Sequence, residues 1–185
     1  DRDDVAAACR SMRNHGWGNS RNGPVCTRLG FNYRLSDIHC ALGLAQLSRL
    51  EQMLAQRASV ADLYGARLKN IAGVVLPPPA KEGRLSWCVY VVRLADRYTR
   101  ADRDHVLRGL RDAGIGCSTY FPPIHLQPIY VERFGFRRGD FPETERIADR
   151  TLALPFFNAL TVSQVDEVVD GLHQQLRLLG DRHGD

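Results

Sequence analysis

A short polar segment, Asn32-Tyr33-Arg34 in "GFNYR", lies directly before an apolar helical pattern. An asparagine amide can donate a hydrogen bond to a phosphate, and an arginine can hold a carboxylate or a phosphate through two parallel hydrogen bonds. Two local alternatives remain open, since Asn32 could cap a turn and Arg34 could pair with Asp37. The segment is therefore a candidate binding site for an anionic group.

A second candidate is the loop "TYFPPIHLQPIY", in which His125 lies between prolines. Prolines restrict the backbone, so a histidine in such a loop is held in one place. Aromatic residues lie close to it in the sequence: Tyr120, Phe121, Tyr130 and Phe134. A histidine bonded to local backbone carbonyls and a histidine that binds a ligand are both compatible with this pattern.

Other kinds of site lack their sequence signals. The chain has no G-x-S-x-G turn for nucleophilic hydrolysis and no glycine loop for phosphate binding. Its histidines include no i, i+4 pair, so we expect no metal site. The five cysteines are widely separated and show no zinc-site spacing, which predicts buried, reduced thiols.

Charge and composition predict a soluble protein without nucleic-acid or membrane partners. The net charge of +4 arises from arginines interspersed with carboxylates along the chain, a pattern typical of a solvated surface. The longest apolar runs, such as "LALPFF" and "CVYVV", are too short to cross a membrane, and the N-terminus lacks a signal-peptide pattern. We therefore expect a cytoplasmic location.

The first part of the chain is predicted to contain a helix, a loop and a long helix. Residues 3–16 favour a helix, residues 15–33 are rich in Gly and Asn and indicate an irregular loop, and Ser36 can cap the next helix. That helix is apolar on two sides, which predicts two packing partners, and Gly43 within it suggests a close backbone approach. We assign residues 1–58 to the end of a larger domain and its connecting helix.

Residues 59–185 are predicted to form a small α/β domain. The stretches "SWCVYVVRL" and "TLALPFF" indicate strands, and a helix lies between Thr99 as its cap and Gly114 as its terminator. The last helix begins with a capping box formed by Thr161 and Gln164. Its predicted core face comprises Val165, Val168, Val169, Leu172, Leu176 and Leu179.

Several segments together resemble, in the same order, the C-terminal half of the pyridoxal-phosphate-dependent sugar aminotransferases of the DegT/StrS family. They are "GFNYRLSDIHCALGLAQLSRLE", "YVVRL", "LRDAGIGCSTYFPPIHLQPIY", "GDFPETERIADRTLALPFFNALT" and "QVDEVV". The resemblance extends from about Arg13 to about Leu172. It implies the C-terminal part of a fold-type-I, aspartate-aminotransferase-like α/β enzyme, in which a long connecting helix precedes a small domain with a small, mainly antiparallel sheet.

For the complete enzyme, the resemblance implies transfer of an amino group from glutamate to a keto nucleotide-sugar, with a 4-keto-6-deoxy sugar favoured. It also implies pyridoxal 5'-phosphate as cofactor and a homodimer whose active sites are shared between subunits. Asn32 would reach the cofactor phosphate in the other subunit, and Arg34 would bind the donor carboxylate or the nucleotide-sugar. His125, with Tyr120 nearby, would face the nucleotide-sugar. The alternative is an inactive nucleotide-sugar-binding or dimerisation module derived from this family.

The chain departs from the family pattern in the reactive lysine. Amino transfer needs a lysine that forms a Schiff base with the cofactor in a desolvated site, but the only lysines are Lys69 and Lys81, and both are predicted to be exposed. The chain also begins at Asp1 within a helical pattern. We therefore expect the latter part of a longer protein, unable to catalyse transamination by itself and exposing apolar faces that would cover the larger domain.

Overall fold

The computed structural model describes residues 1–20, 23–79, 82–83 and 85–183. The contacts within the chain divide it into two compact units, Asp1–Leu50 and Glu51–Asp185. The boundary expected near residue 58 concerns the complete fold and stays a prediction. The expected exposure of Lys81 lies outside the described residues.

The first unit contains two helices and a hairpin. They are α1 (Asp3–Met12), β1 (Trp17–Ser20), β2 (Gly23–Cys26) and α2 (Asp37–Leu47). β1 and β2 pair antiparallel, with Trp17 opposite Cys26. The prediction of an irregular loop over residues 15–33 is therefore wrong for these two strands, because backbone pairing overrides their Gly- and Asn-rich composition.

The helix α2 begins where the sequence predicts, but the first unit buries none of its residues. The hydroxyl of Ser36 accepts a hydrogen bond from the backbone N–H of His39 at 3.4 Å. Nothing lies within 4 Å of the position of a Cβ on Gly43, so no described residue makes the close approach expected there. No residue of α2 is buried. Large apolar side chains are exposed before and along it: Leu35, Ile38, Leu42, Leu44 and Leu47.

The second unit is built on a small antiparallel sheet, which confirms the predicted kind of sheet. Its strands are β3 (Val74–Val75), β4 (Tyr90–Leu94) and β5 (Thr151–Leu154), in the order β3-β4-β5. Along β4, Tyr90, Val92 and Leu94 are buried while the residues between them are half-buried. This alternation is expected when one face of a strand packs on the core.

Helices lie before, between and after the strands of this sheet along the chain. They are α3 (Leu50–Leu68), α4 (Arg100–Asp112), α5 (Pro128–Phe134), α6 (Pro142–Ala148) and α7 (Val162–His183), with a 3-10 turn at Ile124–Leu126. Of these helices, α3, α4 and α7 provide most of the core. The long connecting helix of the prediction consists of α2 and α3, separated by Ser48 and Arg49.

The predicted start and end of α4 and the predicted start and core face of α7 are confirmed, whereas the helix expected over residues 3–16 ends at Met12. The capping boxes of Thr99 with Asp102 and of Thr161 with Gln164 are both formed, and Gly114 follows α4 with a positive φ of 80°. All six residues predicted for the core face of α7 are buried. These residues join side chains of α3, α4 and the sheet in one hydrophobic core.

The prediction of buried thiols is wrong for four of the five cysteines. Cys117 is buried, but Cys9, Cys26, Cys40 and Cys88 are exposed, mainly because the first unit buries few side chains. Lys69 is exposed, as predicted. Within the described ranges, no helix is both long and apolar enough to span a membrane.

Candidate functional site

The segment around Asn32 is held against the end of α1. Backbone hydrogen bonds of 2.6–2.9 Å join residues 31–33 to residues 12–15. As a result, Asn32 lies opposite Asn14 in an antiparallel bridge. The "RNHG" and "GFNYR" stretches of the sequence therefore meet in space.

Two glycines allow this close approach. A Cβ on Gly30 would lie 2.0 Å from the backbone nitrogen of Gly16, and a Cβ on Gly16 would lie 1.7 Å from the carbonyl oxygen of Arg28. Gly16 also has a φ of +76°, a left-handed conformation that glycine adopts without steric cost. A larger residue at either position would push the two segments apart and displace Asn32 and Arg34 with them.

Asn32 and Arg34 are both exposed. Neither local alternative is formed: in the described part of the chain, the Asn32 side chain caps no turn and Arg34 makes no ion pair with Asp37. Their donors are therefore available to a group from outside this unit.

Arg34 lies beside a basic cavity of about 460 Å³. The described residues that line it with Arg34 are Arg10, Arg13, Asn14, Tyr33 and Leu35. Three guanidinium groups without a carboxylate among these residues favour an anionic ligand. Arg10 and Arg13 were not predicted from the sequence, although their i, i+3 spacing at the end of α1 was an available signal. Asn32 is not among the lining residues.

The proline-rich loop of the second unit is anchored to β5 at two points. Ser118 exchanges two backbone hydrogen bonds with Ala153, of 2.8 and 3.2 Å. The hydroxyl of Thr151 donates to the carbonyl oxygen of Tyr120 at 3.0 Å. Tyr120 is half-buried, and its ring stacks on that of Phe121. The sheet therefore fixes the first part of the loop.

His125, further along this loop, is buried and bonded to a side chain of α6. Its Nε2 lies 2.9 Å from Oε1 of Glu145, and each of the two side chains is at most 8% exposed. The partner is thus a carboxylate rather than a local backbone carbonyl. Glu145 was not predicted from the sequence, because it lies 20 positions from His125 and no sequence pattern links the two residues.

Glu145 is held as an ionised hydrogen-bond acceptor. The backbone N–H of Gly139, at a positive φ of 101°, lies 2.8 and 3.0 Å from its two carboxylate oxygens. Burial alone would raise the pKa of Glu145. Hydrogen bonds from Gly139, His125 and the Phe141 N–H, together with the positive charge of Arg138, outweigh burial and hold this pKa below its usual value.

The aromatic surroundings of His125 differ from the sequence prediction. Its ring centroid lies 4.7 Å from that of Phe141 and 6.4 Å from that of Phe136. Among the described residues, the four aromatic side chains noted in the sequence make no ring contact with it. Phe121 and Ile124 of the same loop are 66% and 67% exposed. The loop thus buries its histidine and presents apolar side chains to solvent.

Acid should destabilise the second unit through Glu145. Because its pKa in the folded protein lies below the ordinary 4.5, the carboxylate stabilises the fold above that pH and loses this effect as the pH falls through the lowered pKa. We expect Glu145→Gln to reduce the loss of unfolding free energy below pH 4.5 relative to the parent. Denaturant unfolding at a series of pH values measures this, with exposed Glu143→Gln as control. Parallel curves for parent and Glu145→Gln would contradict the expectation.

Comparison with known proteins finds one family. Residues 1–173 match the model of the DegT/DnrJ/EryC1/StrS aminotransferase family. The spore coat polysaccharide biosynthesis protein SpsC of Bacillus subtilis (strain 168) is 32% identical over 144 residues, which is 77% of this chain and 37% of SpsC.

Solved structures confirm the predicted fold class. The aminotransferase TlmJ from Streptoalloteichus hindustanus is 28% identical with a TM-score of 0.81, covering 96% of this chain and 46% of TlmJ. Spr1654 from Streptococcus pneumoniae, in its PLP form, is 20% identical with a TM-score of 0.83, covering 95% of this chain and 44% of that protein. At 20% identity, the similarity to Spr1654 is evidence for the fold of this chain only. The chain spans less than half the length of each of these relatives.

Proposed function

Because the chain belongs to the DegT/DnrJ/EryC1/StrS aminotransferase family, we propose that the protein containing it transfers an amino group from glutamate to a keto nucleotide-sugar. Members of this family use pyridoxal 5'-phosphate. A 4-keto-6-deoxy sugar is favoured by the resemblance around "GIG" and "PIHLQP". The observation that carries the proposal is the basic cavity beside Arg34, since both the cofactor and a nucleotide-sugar bear phosphates.

The donors of the first unit fit a phosphate-bearing group. Asn32 offers an amide, and the cavity offers the guanidinium groups of Arg10, Arg13 and Arg34, with no carboxylate among the described residues that line it. Arginine is well suited to hold phosphate or carboxylate through paired hydrogen bonds. We assign Asn32 to the cofactor phosphate and the three arginines to the nucleotide-sugar phosphates or the glutamate carboxylate.

The chain contributes binding and orientation to this chemistry. The bound cofactor would supply the electron sink that amino transfer requires. His125 and Tyr120 are assigned to orient the nucleotide-sugar. Lys69 is exposed and cannot offer the desolvated amine that the reaction needs. We assign the reactive lysine to a segment outside these 185 residues.

A homodimer with shared active sites is the assembly we assign to the complete protein. Asn32 would then act on the cofactor held by the other subunit. The exposed apolar side chains of α2 support an extensive interface of this chain with further polypeptide. The same surface would also serve the alternative, an inactive nucleotide-sugar-binding or dimerisation module.

Amino transfer can be tested by incubating the complete protein with 15N-labelled glutamate, pyridoxal 5'-phosphate and a 4-keto-6-deoxy nucleotide-sugar. We expect the label in the sugar product, detected by mass spectrometry. Unlabelled sugar, together with nucleotide-sugar binding in the absence of cofactor, would overturn the proposal in favour of the binding module.

Replacing Asn32 by Ala is expected to weaken cofactor retention in the complete protein. A hydrogen bond to a charged group contributes about 1.5–3 kcal/mol, which corresponds to roughly 10- to 150-fold in affinity. The absorbance of bound cofactor after dialysis measures the effect, with the exposed Asn70→Ala as control. If Asn32→Ala retains its cofactor as the parent does, Asn32 does not bind the phosphate.

A further inference from the structure

We propose that Glu145 is a positioning residue for His125: its carboxylate fixes the imidazole with Nε2–H directed at Oε1 and leaves Nδ1 as the ring atom that meets the nucleotide-sugar. The identity of the ligand rests on the function proposed above. The orientation of the ring rests only on the geometry of the second unit. Glu145 itself acts through His125 and needs no contact with the substrate.

The direction of the hydrogen bond follows from the charge state of Glu145. Its two oxygens already accept the backbone N–H of Gly139, at 2.8 and 3.0 Å, and the pKa of Glu145 is held below its usual value. A carboxylate can only accept hydrogen bonds, so the proton in the 2.9 Å contact belongs to Nε2 of His125. In the neutral imidazole this leaves a lone pair on Nδ1.

The surroundings of His125 keep the ring in this orientation. The side chain is 8% exposed, and the Phe141 ring packs against it with centroids 4.7 Å apart. Its backbone lies in the 3-10 turn Ile124–Leu126, which follows Pro123 directly. A ring flip would remove the Nε2–H donor from a carboxylate that is 7% exposed, and a buried charge without its donor is costly.

Nδ1 is the ring nitrogen that remains available. It makes no hydrogen bond with any residue that the structure describes. It is also not fully buried: among the described residues, the only fully buried side-chain nitrogen or oxygen without a hydrogen-bond partner is Ser11 Oγ. Since Nδ1 has neither a partner nor complete burial, solvent or a ligand can reach it.

The ring orientation can be measured without any assay of activity. In protein labelled with 15N-histidine, the chemical shifts of Nδ1 and Nε2 report which nitrogen carries the proton, and the His125 signals are those lost in His125→Gln. At the alkaline end of a pH titration we expect the Nε2–H tautomer in the parent and a mixture of tautomers in Glu145→Gln. The Nδ1–H tautomer in the parent, or unchanged tautomers in Glu145→Gln, would overturn the proposal.

Substrate use separates positioning from a purely structural role. In His125→Gln, the amide nitrogen replaces Nε2 and keeps the bond to Glu145, whereas no group replaces Nδ1. We expect at least a tenfold rise in the nucleotide-sugar KM of the complete enzyme, with an unchanged cofactor spectrum and melting temperature. Glu145→Gln should raise the same KM, and Glu143→Gln, exposed on the same helix, should leave it unchanged. An unchanged KM in His125→Gln would exclude Nδ1 as the substrate contact.

The two proposals fail in different ways. If the parent transfers no amino group, the proposed function fails, but the tautomer of His125 still decides whether Glu145 orients the ring. If the parent is active and its His125 carries the proton on Nδ1, the function stands and the positioning role of Glu145 is overturned.

Discussion

Gly30→Ala is expected to break the alignment of residues 31–34 with the end of α1. The new Cβ would lie 2.0 Å from the backbone nitrogen of Gly16, and a backbone atom cannot move aside as a flexible side chain can. Overpacking of this kind costs about 1–3 kcal/mol. Because Asn32 and Arg34 follow directly, the complete protein should also lose most of its cofactor retention. Hydrogen exchange at the amides of residues 31–33 measures the first effect, and bound-cofactor absorbance the second.

Gly43→Ala is the matched control for this variant. Nothing lies within 4 Å of its new Cβ in the described chain, and Ala in place of Gly within a helix favours the helix by about 1 kcal/mol. We therefore expect normal protection of the amides of residues 31–33 in this control. Native protection and full cofactor retention in Gly30→Ala would contradict the close contact between Gly16 and Gly30.

Leu172→Ala should cause a large loss of stability in the second unit. Leu172 is fully buried on α7, and truncating a buried leucine to alanine costs about 2–5 kcal/mol, which includes the cavity that remains. This is a large share of the roughly 5–15 kcal/mol that stabilises a typical domain. Denaturant unfolding, followed by circular dichroism, measures the change in the free energy of unfolding.

Leu178→Ala provides the control on the same helix. Its side chain is 45% exposed, so the expected change in the free energy of unfolding is within about 0.5 kcal/mol. Equal losses in the two variants would show that α7 is not packed with Leu172 inward.

The elements that the sequence predicted well are those specified by local patterns. The face of α7 follows the helical period, and the starts of α2, α4 and α7 are marked by Ser36, Thr99 and Thr161, whose side chains satisfy backbone groups within the next turn. Such signals need only a few neighbouring residues. The fold class could not be predicted from such local signals alone. It was predicted from the order of several motifs along the chain.

The parts that the sequence did not predict depend on pairing between distant segments. Asn22-Gly23 is a hairpin signal, but the composition around it favours a loop. The cavity of Arg10, Arg13 and Arg34 forms only because residues 31–33 return to α1. Likewise, Glu145 meets His125 only through the fold. The gathering of the three arginines and the contact of Glu145 with His125 therefore became apparent only from the fold, whereas residue type and sequence context had singled out Arg34 and His125 as candidates.

The most direct test of the proposed enzyme is to locate the lysine that carries the cofactor in the complete protein. Reduction of the cofactor-bound protein with sodium borohydride fixes the pyridoxyl group on that lysine, and peptide mapping by mass spectrometry identifies it. We expect one modified lysine outside these 185 residues, with Lys69 and Lys81 unmodified. A pyridoxyl group on Lys69 or Lys81, or no incorporation into any lysine, would contradict a sugar aminotransferase to which this chain contributes binding groups but not the reactive amine.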